Sequence, residues 1–589
     1  MIRSILSETR RTCSVCELTD TLVSVLFAYQ YTKHVPTTRE STLETLRLNC
    51  SATLNQRLIP RCPDSKHCSA IFNHSVIPRC PDSKHWRESA SRELEEALSY
   101  KWNTNRAKNV IVFVGDGMSP DTITASRIYQ AGETGHLAWE NFPHIGILKT
   151  YNTNKQVPDS ASTATAMFSG VKTNYEVVGV DANVPLGNCT ASLNTRHHVD
   201  SIVSWAQAAG KDTGQLRKVQ SFVTTTRVTH ATPAPLYAHS ADRRWECETK
   251  MPGTAEQCKD IARQLVEDMP GKNIKANYNI SRLQMLKSNA TGTEFDPIDT
   301  WAGQRKDGKD LIEEWKRDKR SRKLSFDVVQ NNEELSRVNV DKVDYLLGIF
   351  ANGHISMDWK REKGPKGQPS LEEMTVTALK ILQKSKNGYL LVVEGGLIDY
   401  AHHRGHAAQA LLETVRFSDA VNATLTMINT QDTLVIVTSD HTHSMSFNGY
   451  SDRGSSILGI AQKSKHDGIP YTTLTYSTGG PNNVAYTIEG NFSTRLDPSK
   501  ENTTAFTYSQ QAVIISDEAY HGGGDVAVYA IGPFAHLFHR VHEQSYVARV
   551  IAYAANMETK SYESNGAEQR NCPIGVFLYC CLTLLIIFH

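Results

Sequence analysis

Hydrophobic and polar positions follow two regimes along most of this chain. Short, unbroken apolar runs rich in β-branched residues read as buried strands: Val110 to Val114, Phe222 to Arg227, the stretch opening at Leu390, and the run from Thr433. Longer segments between them carry apolar residues at helical spacing. In Trp86 to Tyr100, the residues Trp86, Ala90, Leu94, Ala97 and Leu98 stand between charges; Pro120 to Gln130, His197 to Gly210, Asp307 to Arg320, Ser370 to Lys384 and Ala407 to Asn429 also read as helices. Strands alternating with helices predict a three-layer α/β/α sandwich around a large, mainly parallel sheet.

The strand-like runs share a kind of ending. LLVVEGGLIDYAHH (Leu390 to His403) closes on Glu394, Asp399, His402 and His403, and NVIVFVGDGMS (Asn109 to Ser119) on Asp116. TLVIVTSDHTH (Thr433 to His443) closes on Asp440 and His441, and EAYHGGGDVAVYAIG (Glu518 to Gly532) carries His521. In an open parallel sheet the C-terminal strand ends gather along one edge, so side chains remote in sequence meet there. Carboxylates and imidazoles are the ligands that zinc and magnesium take. Asp399 and His403, at i, i+4, share a face if the turn after Gly396 is helical. For the Leu390 to His403 stretch alone a metal site is already favoured over a glycine turn with solvated polar residues, and three further runs ending the same way strengthen it. Ser160, in VPDSASTATA, stands where a helix starts and its N–H groups would suit an anion, with an ordinary N-cap serine as the alternative.

Composition narrows the setting. With 589 residues and 40 % hydrophobic content the chain builds a large core, and 63 basic against 62 acidic residues (net +1) give no charge argument for nucleic acid. Twelve cysteines and N-x-[ST] sequons at Asn49, Asn73, Asn188, Asn279, Asn289, Asn422, Asn491 and Asn502 lean towards the secretory pathway. Cys572 to His589 is apolar and follows the small residues Ser564, Asn565, Gly566 and Ala567; it fits a removable GPI-anchor signal better than a transmembrane anchor. Thr21 to Ala28 is a poor signal-peptide core behind charged residues. Residues 1–85, with IPRCPDSKH occurring at Ile59 to His67 and again at Ile77 to His85, read as a disordered or wrongly predicted extension. Residues 86–556 read as the main folded domain and 557–589 as the anchor-bearing tail.

Six motifs, VGDGMS, VPDSASTATA, TTTRVTHATPAPLYAHSADR, VEGGLIDYAHH, TSDHTHSMSFNGY and YHGGGDVAV, resemble in order and spacing those of the animal-type alkaline phosphatases, over roughly Trp86 to Ala555. The resemblance implies a homodimeric, GPI-linked, extracellular phosphomonoesterase with two zinc ions and one magnesium. Carried over residue by residue, it places one zinc on Asp399, His403 and His521 and the other on Asp116, Asp440 and His441, with Ser160 as nucleophile completing that shell. It places magnesium on Asp116, Thr232 and Glu394, makes Arg243 the phosphate clamp, puts His230 and His443 outside the ligand shells, and pairs Cys189 with Cys258. Residues 446–516 should include the family's crown insertion.

Departures from the pattern set expectations of their own. Gln215 to Ser221 interrupts the approach to the FVTTTR strand and threatens the fold beside the magnesium and arginine elements. Ala276 to Thr293 lacks the family's apolar strand and glycine loop. Tyr400 and Gly524 replace a histidine and a glutamate. The calcium site of mammalian members looks incomplete, since Ala351 and Gln368 stand where acids are expected beside Glu294. Asn556 stands where a C-terminal cysteine pair begins, leaving Cys247 and Cys572 without assigned partners. These disruptions motivate an alternative, a catalytically dead, GPI-tethered binding protein on the same fold. A phosphodiesterase or sulfatase of the superfamily fits less well, because Ser160 and Arg243 with the magnesium set favour a monoester.

Overall fold

The computed structural model describes residues 83–209, 219–277, 305–480, 483–489 and 492–557. They lie in one compact unit spanning Ile77–His589. Ten strands form its main sheet: β1 (Asn109–Gly115), β2 (His144–Lys149), β3 (Val219–Thr224), β4 (Ala276–Asn277), β5 (Phe326–Val329), β6 (Tyr345–Gly348), β7 (Tyr389–Gly395), β8 (Thr433–Ser439), β9 (Val526–Ile531) and β10 (Arg540–Glu543). Their order is β10-β2-β9-β8-β1-β7-β3-β4-β6-β5, and every pairing is parallel except those of β9. The central strands β1, β7 and β8 are buried at every position, which is why they read as continuous apolar runs. β2, nearer the edge, alternates buried and exposed residues. Two apolar clusters, one on each face, fill the layers between sheet and helices.

The helices follow their caps more closely than their apolar periods. α1 (Ser83–Ser99) forms, but Trp86, Leu94 and Leu98 are 51 %, 60 % and 77 % exposed. α2 (Pro120–Ala131) starts on the Ser119 cap, and α3 (Ser160–Ser169) on Asp159. The helix expected over 197–210 is confined to Ile202–Ala208, because the Ser201 hydroxyl accepts from the Val203 and Ser204 N–H groups and sets its start there. Asp310 likewise opens α4 (Leu311–Ser321), and a Ser370–Glu373 capping box opens α5 (Leu371–Gln383). α6 (Leu397–His403) and α7 (Ala407–Leu425) follow β7. Short strands between Met445 and Ile515 make three small sheets within the expected insertion.

Two of the departures resolve differently from expectation, the first being that Ala276 and Asn277 form β4, between β3 and β6, where no strand was expected. Val219, Gln220 and Ser221 do not intrude on the site: they extend β3 backwards, in register with Tyr389, Leu390 and Leu391 of β7. The strand therefore ends at Thr224, not at Arg227, and the extra residues lie three or more positions, roughly 10 Å, before that end. Residues 215–218, 278–293, the terminal segments 1–82 and 558–589, Glu294 and Cys572 lie outside the described residues. Gln368, where an acid was sought, takes part in a neutral crosslink: its carbonyl accepts from Ser356 N at 2.8 Å and its amide donates to Phe350 O at 3.2 Å. Cys189 and Cys258 are disulfide-bonded, and Cys247 is a buried thiol. Among the described residues no helix is long and apolar enough to cross a membrane.

Candidate metal centre

Strand register assembles the centre. Gly115 of β1 pairs with Gly395 of β7 and with Ser439 of β8, so the residues that follow, Asp116 and Asp440, leave the sheet side by side, with Glu394 one position back. Thr224, the last residue of β3, pairs with Glu394. α6 turns immediately after β7 and brings Asp399 and His403 onto one face, while His521 arrives on a two-residue ladder with His443. These side chains form three groups, each with its ligand atoms within 4.8 Å of one another: Asp399, His403, His443 and His521; Asp116, Asp440 and His441; and Asp116, Glu394 and His230.

Ser160 is the first residue of α3, but Asp159 performs the capping, accepting from the N–H groups of Ala161 and Ser162. Ser160 Oγ instead lies 3.1 Å from His441 Nε2, and that nitrogen is 3.4 Å from Asp116 Oδ1 and 3.3 Å from Asp440 Oδ2. Thr232 Oγ1 is 3.4 Å from Asp116 Oδ2. His403 Nε2 and His521 Nε2 face each other at 3.1 Å, and each lies within 3.5 Å of an Asp399 oxygen. Arg243 donates from Nη1 to Asp159 Oδ2 at 3.2 Å and from Nη2 to His230 Nε2 at 3.3 Å. The cleft above them encloses about 1270 Å³ and is lined by Arg243, His403 and His521 together with Tyr175, Tyr400 and Tyr520.

The donor set suits divalent cations. His403, His441 and His521 each place Nδ1 on a backbone carbonyl, those of Ala519, Thr442 and Pro158, which leaves the Nε2 lone pairs turned inward. Asp116 Oδ1 and Glu394 Oε1 are buried without a hydrogen-bond partner among the described residues. Burial, reinforced by neighbouring carboxylates, pushes Asp116 well above its ordinary range, Glu394 up to about 7 and Asp440 up to about 6. Burial would raise Asp399 as well, but His403, His443 and His521 hold it below the usual carboxylate range. Carboxylates gathered this tightly at 0–7 % exposure call for more positive charge than the imidazoles provide.

Other polar side chains surround these groups. His443, placed outside the ligands by resemblance, bonds Asp399 Oδ1 at 3.0 Å, and His230 joins the Asp116 and Glu394 group. His402 turns away, between Thr122 Oγ1 (3.0 Å) and Tyr476 OH (2.7 Å), and His239 packs against Gly179 O and His198. Sequence reasoning missed Asp159, which orients Arg243, and Thr224 and Thr226, whose hydroxyls both donate to Glu394 Oε2. The two threonines are spaced i, i+2, a signal that was there to read; that Asp159 reaches Arg243, 84 positions later, was not.

Comparison with known proteins places this arrangement. The alkaline phosphatase family matches residues 107–557. The rat tissue-nonspecific alkaline phosphatase is 42 % identical over 502 residues, covering 82 % of this chain and 91 % of its own. Alkaline phosphatase 4 of Drosophila melanogaster is 40 % identical over 498 residues (80 % and 81 %), and the membrane-bound alkaline phosphatase of Bombyx mori 39 % over 481 (80 % and 84 %). Among solved structures, Thermus thermophilus alkaline phosphatase matches with a TM-score of 0.53 at 22 % identity, covering 79 % of this chain and 94 % of that one, a likeness of fold. A family match spanning the sheet from its first strand to its last, together with relatives near 40 % identity along most of their own length, makes this chain a member of the alkaline phosphatase family and a phosphoric monoester hydrolase.

Proposed function

We propose that the chain hydrolyses phosphate monoesters through a phosphoserine on Ser160, with two zinc ions and one magnesium. The convergence of Asp116 and Asp440 on His441, whose Nε2 lies 3.1 Å from the Ser160 hydroxyl, carries this reading. Asp399, His403 and His521 would hold one zinc, Asp116, Asp440 and His441 the other, and Asp116, Thr232 and Glu394 the magnesium. Bound there, the ions would offset the phosphate dianion and lower the pKa of the serine hydroxyl and of a water. Arg243, steadied by Asp159 and His230, presents a planar fork of donors to two phosphate oxygens. Ser160 Oγ gives up its proton and bonds phosphorus as the bond to the departing alcohol breaks. Water then opens the phosphoserine, releases inorganic phosphate and restores the hydroxyl.

The sequons, the Cys189–Cys258 bridge and the C-terminal apolar run support GPI anchoring on the extracellular side of the cell membrane, and the family resemblance alone suggests the homodimer. The test is turnover of p-nitrophenyl phosphate at about pH 9 to 10 by protein carrying about two zinc ions per chain. Ser160→Ala should abolish the phosphoenzyme and lower kcat by about 10³ or more. Zinc-loaded, folded protein without turnover would favour the tethered binding protein instead.

A further inference from the structure

Along the wall of the cleft runs a chain of buried and half-buried polar side chains, of which the proposed mechanism uses only the last links, His230 and Arg243. Arg227 is gripped bidentately by Glu246, Nε to Oε2 at 2.9 Å and Nη2 to Oε1 at 3.1 Å, with the two side chains 4 % and 3 % exposed. Glu246 also accepts from Thr229 Oγ1 at 2.6 Å and from Lys250 Nζ at 3.4 Å. The remaining guanidinium nitrogen of Arg227, Nη1, lies 2.8 Å from His354 Nε2. A guanidinium only donates, so His354 Nε2 must accept, and the ring is the neutral tautomer with its proton on Nδ1. The same logic fixes His230, whose Nε2 faces Arg243 Nη2. The two rings meet edge to face, 5.4 Å apart and 77° inclined, and His354 also leans on Tyr400 at 5.2 Å. Both histidines, with Arg227, Glu246 and Arg243, line the cleft.

We propose that Glu246, Arg227 and His354 are positioning residues for phosphate binding: Arg227 locks the plane and tautomer of His354, His354 packs the ring of His230 into place, and His230 in turn aims the guanidinium of Arg243. The proposal rests on Arg243 being the phosphate clamp. A direct Arg227–Arg243 contact would bring two like charges together; the two neutral rings between them transmit orientation and keep the guanidinium groups apart. Arg243 grips an oxyanion, so misaiming it weakens ground-state phosphate binding as well as substrate capture.

The test compares wild-type, His354→Phe and His354→Gln proteins, each zinc-loaded, by p-nitrophenyl phosphate kinetics and by calorimetric titration with inorganic phosphate. Phenylalanine keeps the ring but gives Arg227 no acceptor, whereas glutamine restores an acceptor. In His354→Phe the KM and the phosphate Kd should rise by about tenfold, the scale of one weakened charge-assisted hydrogen bond, with kcat changing less and zinc content unchanged. His354→Gln should recover part of that loss. A lowered Tm with KM and Kd at wild-type values in both variants would reduce the chain to a structural role and overturn the proposal. Wild-type protein that turns over substrate while Arg243→Ala leaves the phosphate Kd unchanged would overturn it at its premise. Wild-type protein that neither turns over substrate nor binds phosphate would overturn the functional reading along with it.

Discussion

Two sets of buried carboxylates stand within one cleft and solve the same problem in opposite ways. Glu246 lies against Arg227 and Lys250; burial alone would raise its pKa, yet those cations and the hydrogen bonds of Arg227 and Thr229 hold it at about 2. Asp116, Glu394 and Asp440 lie against one another, and burial with mutual repulsion raises all three. The wall is balanced by charges folded into the chain, whereas the centre is left short of them. That contrast separates a scaffold ion pair from a site shaped for imported cations, which burial by itself does not do.

The comparison breaks most visibly if the wall proves dispensable. Glu246→Gln leaves the Arg227 charge buried without its counter-ion and should cost about 3–5 kcal/mol at pH 7, read by urea unfolding of metal-loaded protein. The carboxyl titrates below its unfolded value, so its stabilisation is present above about pH 4.5 and is lost as pH falls towards 2. The variant should therefore lose stability less steeply than wild type on acidification through that window.

At the centre the sign reverses. Asp440 sits at about 6 when folded against 3.8 when unfolded, so in metal-free protein it favours the fold at low pH and that contribution is lost as pH rises from about 4 through 6. Asp440→Asn keeps an acceptor for the N–H groups of Gly117 and His441. At pH 8 it should stabilise chelator-treated protein on the order of 2–3 kcal/mol while abolishing activity of the zinc-supplemented enzyme. Metal-free Asp440→Asn no more stable than wild type would mean that the centre is not short of positive charge.

Glu413 sharpens the contrast with a case away from the centre. It is buried in α7, accepts from Asp358 N at 2.7 Å, and is pushed up to about 7 by burial, with Asp358 adding to the rise and Arg361 and Arg416 moderating it. Its folded pKa lies above the unfolded 4.5, so its contribution falls away as pH climbs from 4.5 through 7. Glu413→Gln should raise stability at pH 8 by about 2–3 kcal/mol and leave it nearly unchanged at pH 4, measured as paired Tm values.

The parts of this molecule that were legible in sequence are those in which one chain segment decides its own fate. β1, β7 and β8 are buried on both faces, so their apolar runs announce them, and the charged residues after each run mark the edge where they end. What stayed hidden depends on partners far along the chain. Nothing local tells His402 to face Tyr476 while His403 faces His521, or pairs Arg227 with a histidine 127 positions away. The amphipathic pattern of α1 marked a helix correctly but not the exposure of its apolar stripe, because spacing specifies a face and not what covers it.

The backward growth of β3 shows where this architecture tolerates change. Chain length is negotiable at the entry side of the sheet, where three added residues simply find partners on β7, and fixed at the exit side, where one residue too many would swing Asp116 or Asp440 to the opposite face. Indels should therefore be distributed lopsidedly among related chains, frequent before these strands and rare just after them.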